Sequence, residues 1–162
     1  MKYFLTAVLM MFAGLAFASD FDATEAKLKT ALEAEIRTDA EKERDRNRRP
    51  IQTLEFFGFR DNMKVVELLP GGGWYTKLLV PVLQDNGEYY AALGTGNISK
   101  NLIAEPGFED AQVIATDAKV YRKDGARSYT LETDGLGVSD VDMVLTFRNY
   151  HNFGAEGRAA MH

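Results

Sequence analysis

No cysteine occurs in the 162 residues. That excludes disulfides, zinc–thiolate centres and a cysteine nucleophile together, so stability has to come from core packing alone. Histidine is almost as scarce: His151 and His162 are the only two, too few for a metal site built on several imidazoles. An excess of positive charge is missing as well. With a net charge of -5 and a pI near 5.1, the chain has no general attraction for nucleic acid, although a local basic patch is compatible with that balance. Internal repeats and low-complexity segments are absent. The N-terminal apolar run, Tyr3 to Leu15, falls short of the roughly 20 residues that span a bilayer.

That run has a different reading. Met1-Lys2 gives a short positive start, and Ala16-Phe17-Ala18 puts small residues at the two positions a signal peptidase reads. The pattern predicts a signal peptide over residues 1–18, cleaved between Ala18 and Ser19. A periplasmic or secreted protein with no stable membrane span would result; an uncleaved anchor is the alternative. Residues 19–58 read as an N-terminal helical segment and 59–162 as one α/β domain. An apolar content of 46% with 27% charged residues suits a single folded core.

From Phe21 to about Asn47 the composition is helical, as two helices or as one broken near Thr38. Asp22 with Glu25, and Thr38 with Glu41, each match a capping box. Leu28, Leu32 and Ile36 form a narrow apolar stripe. The mixed-sign run Glu41 to Arg49 reads as a solvated helical face, or as arginines lying over an anionic ligand group. Pro50 suits the first position of a helix over Ile51–Phe57, stopped by Gly58. Leu54, Phe56 and Phe57 are expected in the core.

Strands are predicted at Met63 or Lys64 to Leu68, Glu88–Leu93, Ala111–Thr116 and Val141–Phe147. Helices are expected at Trp74–Leu83 and Ile98–Ala104, with a small hairpin around Asp124-Gly125. Strands alternating with helices predict a Rossmann-like, doubly wound, mostly parallel sheet with an N-terminal helical extension. The pattern stops at the opening of a further helix, Gly154 to His162. It therefore predicts that the native domain is longer and that C-terminal strands are missing.

The richest stretch is Val65-Val66-Glu67-Leu68-Leu69-Pro70-Gly71-Gly72-Gly73-Trp74-Tyr75-Thr76. An apolar strand ends in a carboxylate, passes three glycines and enters a helix. Glycine lets a ligand approach the backbone, and helix-start amides hold anionic groups. A structural turn with a structural glutamate is the alternative. The dinucleotide fingerprint and the Walker pattern both fail here, because the third glycine and the Lys-Ser/Thr pair are absent. Asp117, the loop after Leu93, and Asn149 to Asn152 also fall at predicted strand ends, which converge on one crevice in such sheets.

These residues together resemble class I S-adenosylmethionine-dependent methyltransferases. Glu67 and Gly71-x-Gly73 stand where that family has an acid and a glycine loop; Asp117 stands where an aspartate contacts adenine. Asn149-Tyr150-His151-Asn152 stands at its polar stretch after the fourth strand. Two positions depart: Leu69 replaces the earlier glycine, and Leu93 or Gly94 replaces the acid that binds the ribose. The set Asp45-Arg46-Asn47-Arg48-Arg49-Pro50, Pro70-Gly71-Gly72-Gly73-Trp74-Tyr75-Thr76 and Phe147 to Asn152 is similar to a group of exported predicted bacterial methyltransferases. The resemblance implies methyl transfer from S-adenosylmethionine to an unknown acceptor. Glu67, Pro70, Gly71, Gly72, Gly73, Trp74, Tyr75, Asp117 and Asn149 would bind the cofactor. His151 would be a general base, or a histidine hydrogen-bonded in the strand-end turn. Arg148 would meet an anionic substrate or pair with a carboxylate. The alternative is a non-catalytic relative binding another small molecule or a protein.

Overall fold

The computed structural model describes residues 21–154. The expected signal segment, and most of the helix expected from Gly154 onward, lie outside them. Helical pieces come first: α1 Asp22–Glu33, α2 Asp39–Glu43, α3 Asp45–Arg48 and α4 Pro50–Phe56. Then β1 Lys64–Leu68, α5 Thr76–Leu83, β2 Glu88–Ala92, α6 Gly96–Asn101 and β3 Gln112–Ile114 alternate. A hairpin, β4 Lys119–Tyr121 with β5 Thr130–Glu132, precedes β6 Met143–Leu145 and α7 Tyr150–Gly154.

The protein is α/β, with a four-stranded, all-parallel sheet in the order β3-β2-β1-β6. β1 is interior, and its last four residues are buried, as a parallel strand covered on both faces requires. Its side chains alternate between two cores. Val65 faces a large cluster with Leu28, Leu54, Phe59, Leu78, Leu79 and Ile98, supplied mainly by the helices. Val66 and Leu68 face a smaller cluster with Ala92 and Leu93, covered by Val120 and Leu131 of the hairpin and by Leu136, Val138 and Val141. The second face is therefore closed by a hairpin and a loop, where a doubly wound sheet has helices.

Several local expectations change. Thr38 and Glu41 do form a reciprocal capping box, but Asp22 lies inside α1, whose cap residue Phe21 makes no side-chain bond. The Leu28 stripe loses helical register at Ile36, beyond the end of α1, yet Leu32 and Ile36 still pack on the core. Arg49, forced out of the right-handed region by the following proline, adopts φ 44° between α3 and α4. Phe56 and Phe57 are not core residues, being 86% and 48% exposed, because Leu54 and Phe59 take the inward positions around them. The Glu41–Arg49 run is not simply a solvated face. Arg37 is buried and clamps Asp45 through both guanidinium nitrogens, while Glu41 accepts from Lys77 Nζ at 2.8 Å.

Candidate functional site

The strand order reverses between β1 and β6: β1, β2 and β3 proceed one way, and β6 lies on the other side of β1. Beyond the carboxyl ends of strands at such a switch point, a crevice opens that side chains of the sheet do not fill. Here it is a cavity of about 280 Å³ lined by Glu67, Leu69 to Gly72, Trp74 and Tyr75 on the β1 side. Phe147 and Asn149 line it from the β6 side, and Glu41, Arg44 and Arg48 from the helical arm. A second cavity of about 240 Å³ shares Leu69 and Asn149 with it. Gly94, Val120, Tyr129, Asn152 and Phe153 complete this second, less polar wall.

The glycine loop is built from its ends. Glu67 is buried, and its Oε2 accepts from Thr76 Oγ1 at 2.7 Å and from Tyr89 Oη at 2.6 Å. Burial raises its pKa above the ordinary glutamate value against those two bonds, and the neighbouring carboxylate in turn helps hold the Tyr89 phenol protonated. Both bonds fall on one oxygen, Oε2, of a residue that lines the cavity. Leu69 N–H donates to Ala92 O at 3.0 Å, and Asn149 Nδ2 donates to Leu69 O and Phe147 O. The loop is thereby tied to β2 and to the segment after β6 at once. Asn149 Oδ1 is left as its remaining polar atom.

The aromatics after the glycines serve the helical arm. Trp74 Nε1 donates to Glu41 O at 3.0 Å, and its ring meets Tyr75 edge to face at 4.6 Å. Arg48 lies 4.3 Å over the Trp74 ring, with Arg37 5.2 Å from the same ring. Tyr75 in turn stacks on Phe147 at 3.4 Å. Burial raises the Tyr75 phenol above its ordinary pKa although Arg48 opposes this, so the hydroxyl stays protonated at neutral pH.

Of the residues expected at a cofactor site, the structure brings together Glu67, Pro70, Gly71, Gly72, Trp74, Tyr75 and Asn149. It does not bring Gly73, Asp117 or His151 to that wall. Gly73 is buried against α6, where an added Cβ would lie 2.8 Å from Leu102 Cδ2. Asp117 is exposed and lines a separate shallow depression with Lys119, Glu132 and Asp134. His151 is exposed on α7. Leu69 and Phe147 were missed by sequence reasoning. The expected resemblance put a glycine at the position of Leu69, and the structure gives Leu69 φ 56°, a conformation that favours glycine. Among the described residues, no cluster of acids and histidines suits a metal ion, and no helix is long and apolar enough to cross a membrane. No family model, curated protein or solved structure matches the chain.

Proposed function

We propose that the protein binds S-adenosylmethionine in the crevice between β1 and β6 and transfers its methyl group to an acceptor nucleophile, on a partial Rossmann-like sheet. The observation that carries this reading is the site's position and composition. An open glycine loop, a buried acid and an asparagine bridge meet at the switch point of a parallel sheet. The two cavities, adjacent at Leu69 and Asn149, suit an elongated ligand with one polar and one less polar part. Together they fall inside the range of roughly 300–1,000 Å³ common for small-molecule sites.

S-adenosylmethionine supplies an electrophilic methyl on a sulfonium, so the protein mainly has to position the two reactants. Gly71 and Gly72 leave the loop backbone accessible, Glu67 accepts from an ammonium, and Asn149 holds the loop's entry fixed. A non-catalytic binding protein is the second reading. It is favoured by Leu93 and Gly94, which follow β2 where the resembling family has a ribose-binding acid, and by the separate location of Asp117.

Calorimetric titration with S-adenosylmethionine and S-adenosylhomocysteine tests the first reading, with Gly72→Val as the informative variant. An added Cβ at Gly72 meets only Asn97 Nδ2, at 4.0 Å, so valine there fills the cradle without disturbing the fold. The parent is expected to bind both compounds, and the variant to bind at least about tenfold more weakly, or about 1.4 kcal/mol. A parent that gives neither heat nor a thermal shift sinks the cofactor reading. Equal binding by the variant moves the site away from the loop.

A further inference from the structure

One wall of the crevice carries arginines, and the carboxylate that acts on Arg48, that of Asp45, is already clamped by Arg37. Arg44 and Arg48, one helical turn apart across the α2–α3 junction, both line the cavity. Arg148 lies between the lining residues Phe147 and Asn149, and its charge, like that of Arg44, acts on Arg48. Burial first, and then these two like charges, lower the Arg48 pKa, although the group remains a cation at neutral pH. The acids nearby are already engaged. Asp45 is clamped by Arg37, Glu41 is paired with Lys77, and one of the two Glu67 oxygens is bonded to Thr76 and Tyr89.

Such clustering of like charge is unfavourable unless something holds it or answers it. The holding element is visible. The Arg48 guanidinium rests over Trp74, with the Tyr75 ring 5.6 Å away, and Trp74 is anchored to the arm through Glu41 O. A guanidinium held over an aromatic face can still turn N–H donors to a planar or tetrahedral oxyanion.

Resting on the methyltransferase reading, we propose that Arg44 and Arg48 form an oxyanion clamp that selects a small-molecule methyl acceptor bearing a carboxylate or phosphate. The clamp stands on the arm side of the crevice, which Gly71 and Gly72 also line. An acceptor held there by its anionic group presents its remaining atoms to the loop.

The sole tryptophan, Trp74, lies under Arg48 and reports on the clamp by its fluorescence. The test titrates the full chain with inorganic phosphate and with citrate at constant ionic strength, with and without saturating S-adenosylhomocysteine. The parent is expected to show a saturable Trp74 response to both anions that persists when S-adenosylhomocysteine is bound. Arg48→Gln and Arg44→Gln should each weaken anion binding at least about fivefold, and by more than they weaken S-adenosylhomocysteine binding. Arg46→Gln, outside the cavity, serves as the charge control and should change neither.

No saturable response in the parent overturns the clamp. Competitive displacement of the anions by S-adenosylhomocysteine, with cofactor affinity lost in Arg48→Gln, also overturns it, because the arginines would then hold the cofactor's own carboxylate. An equal loss in Arg46→Gln reduces the effect to overall charge and overturns it as well. A saturable, Arg48-dependent anion response in a chain that never binds S-adenosylhomocysteine supports the oxyanion site and removes the methyltransferase reading, so the two failures are distinguishable.

Discussion

Left-handed backbone gathers at one end of the sheet. Leu69, Leu93 and Ala115 directly follow β1, β2 and β3 with φ of 56°, 63° and 50°, and Arg148 follows β6 with φ 64°. For residues with a Cβ this conformation costs roughly 1–2 kcal/mol each, and such costs concentrate where a site needs the chain to turn sharply. The glycines between them divide by role. Gly71 is exposed, and a Cβ there meets nothing within 4 Å; Gly73 is buried with φ 82°, and a Cβ there would press on Leu102 and on Ile98 Cγ2 at 3.1 Å. Alanine at either position therefore bears the left-handed cost, and Gly73→Ala adds overpacking of about 1–3 kcal/mol. Urea denaturation without ligand should rank Gly73→Ala below Gly71→Ala by that margin. Equal midpoints would mean that α6 yields freely and that Gly73 is not a packing residue.

At the scale of elements, the short helices α2 and α3 are held by their partners rather than by their own length, since pieces of four or five residues are not stable alone. Glu41 is the junction. Its side chain closes the capping box on Thr38 and accepts from Lys77 of α5, while its carbonyl accepts from Trp74. Burial by itself would raise the Glu41 pKa, but the Lys77 ammonium and the Thr38 amide outweigh it and hold the carboxyl below its ordinary range. A depressed folded-state pKa gives stability that is full above the unfolded value and is lost as pH falls through the folded one. Glu41→Gln should therefore cost about 1–2 kcal/mol at pH 7, and the gap to the parent should close as the pH falls below the ordinary glutamate range and through the lowered folded value. A gap independent of pH would show that packing, not charge, does the holding. The same elements mark how much was legible in the sequence. The capping box, the proline start of α4, the strand–glycine–helix unit and the hairpin are all local in the chain, with partners no more than 13 positions apart, and patterning finds those. Trp74 with Glu41 and Lys77 with Glu41 are 33 and 36 positions apart, and no periodicity selects such partners. Phe56 and Phe57 fail for a related reason: hydrophobicity says that a residue can be buried, whereas the turn of α4 decides whether it is.

For the whole molecule, the question is whether the N-terminal helices and the sheet fold as one body. The sequence divides at about residue 58, with the helical segment before it and the strand–helix alternation after it. The contacts ignore that division. α1 packs along α5, and Leu28, Leu54 and Phe59 share one cluster with Val65, Leu78 and Leu79. Lys27 of α1 bridges Asp61 at 2.9 Å and Asp85 at 3.0 Å, in the turns before β1 and after α5. Thr24 Oγ1 accepts from Asp61 N at 3.1 Å. Removing the arm would uncover apolar residues across the helical face of the sheet, at a cost of roughly 25 cal/mol per Å². A separately melting arm is therefore much less stable than the joined state, and unfolding should be two-state. Trp74 gives a probe placed at the joint itself, because its indole bonds to the arm from the glycine loop. Its fluorescence in urea should change with the same midpoint and slope as the far-ultraviolet circular dichroism of the whole chain. An earlier fluorescence transition would mean that the arm detaches first. The wall formed by Glu41, Arg44 and Arg48 would then be a gate over the crevice rather than a fixed part of it.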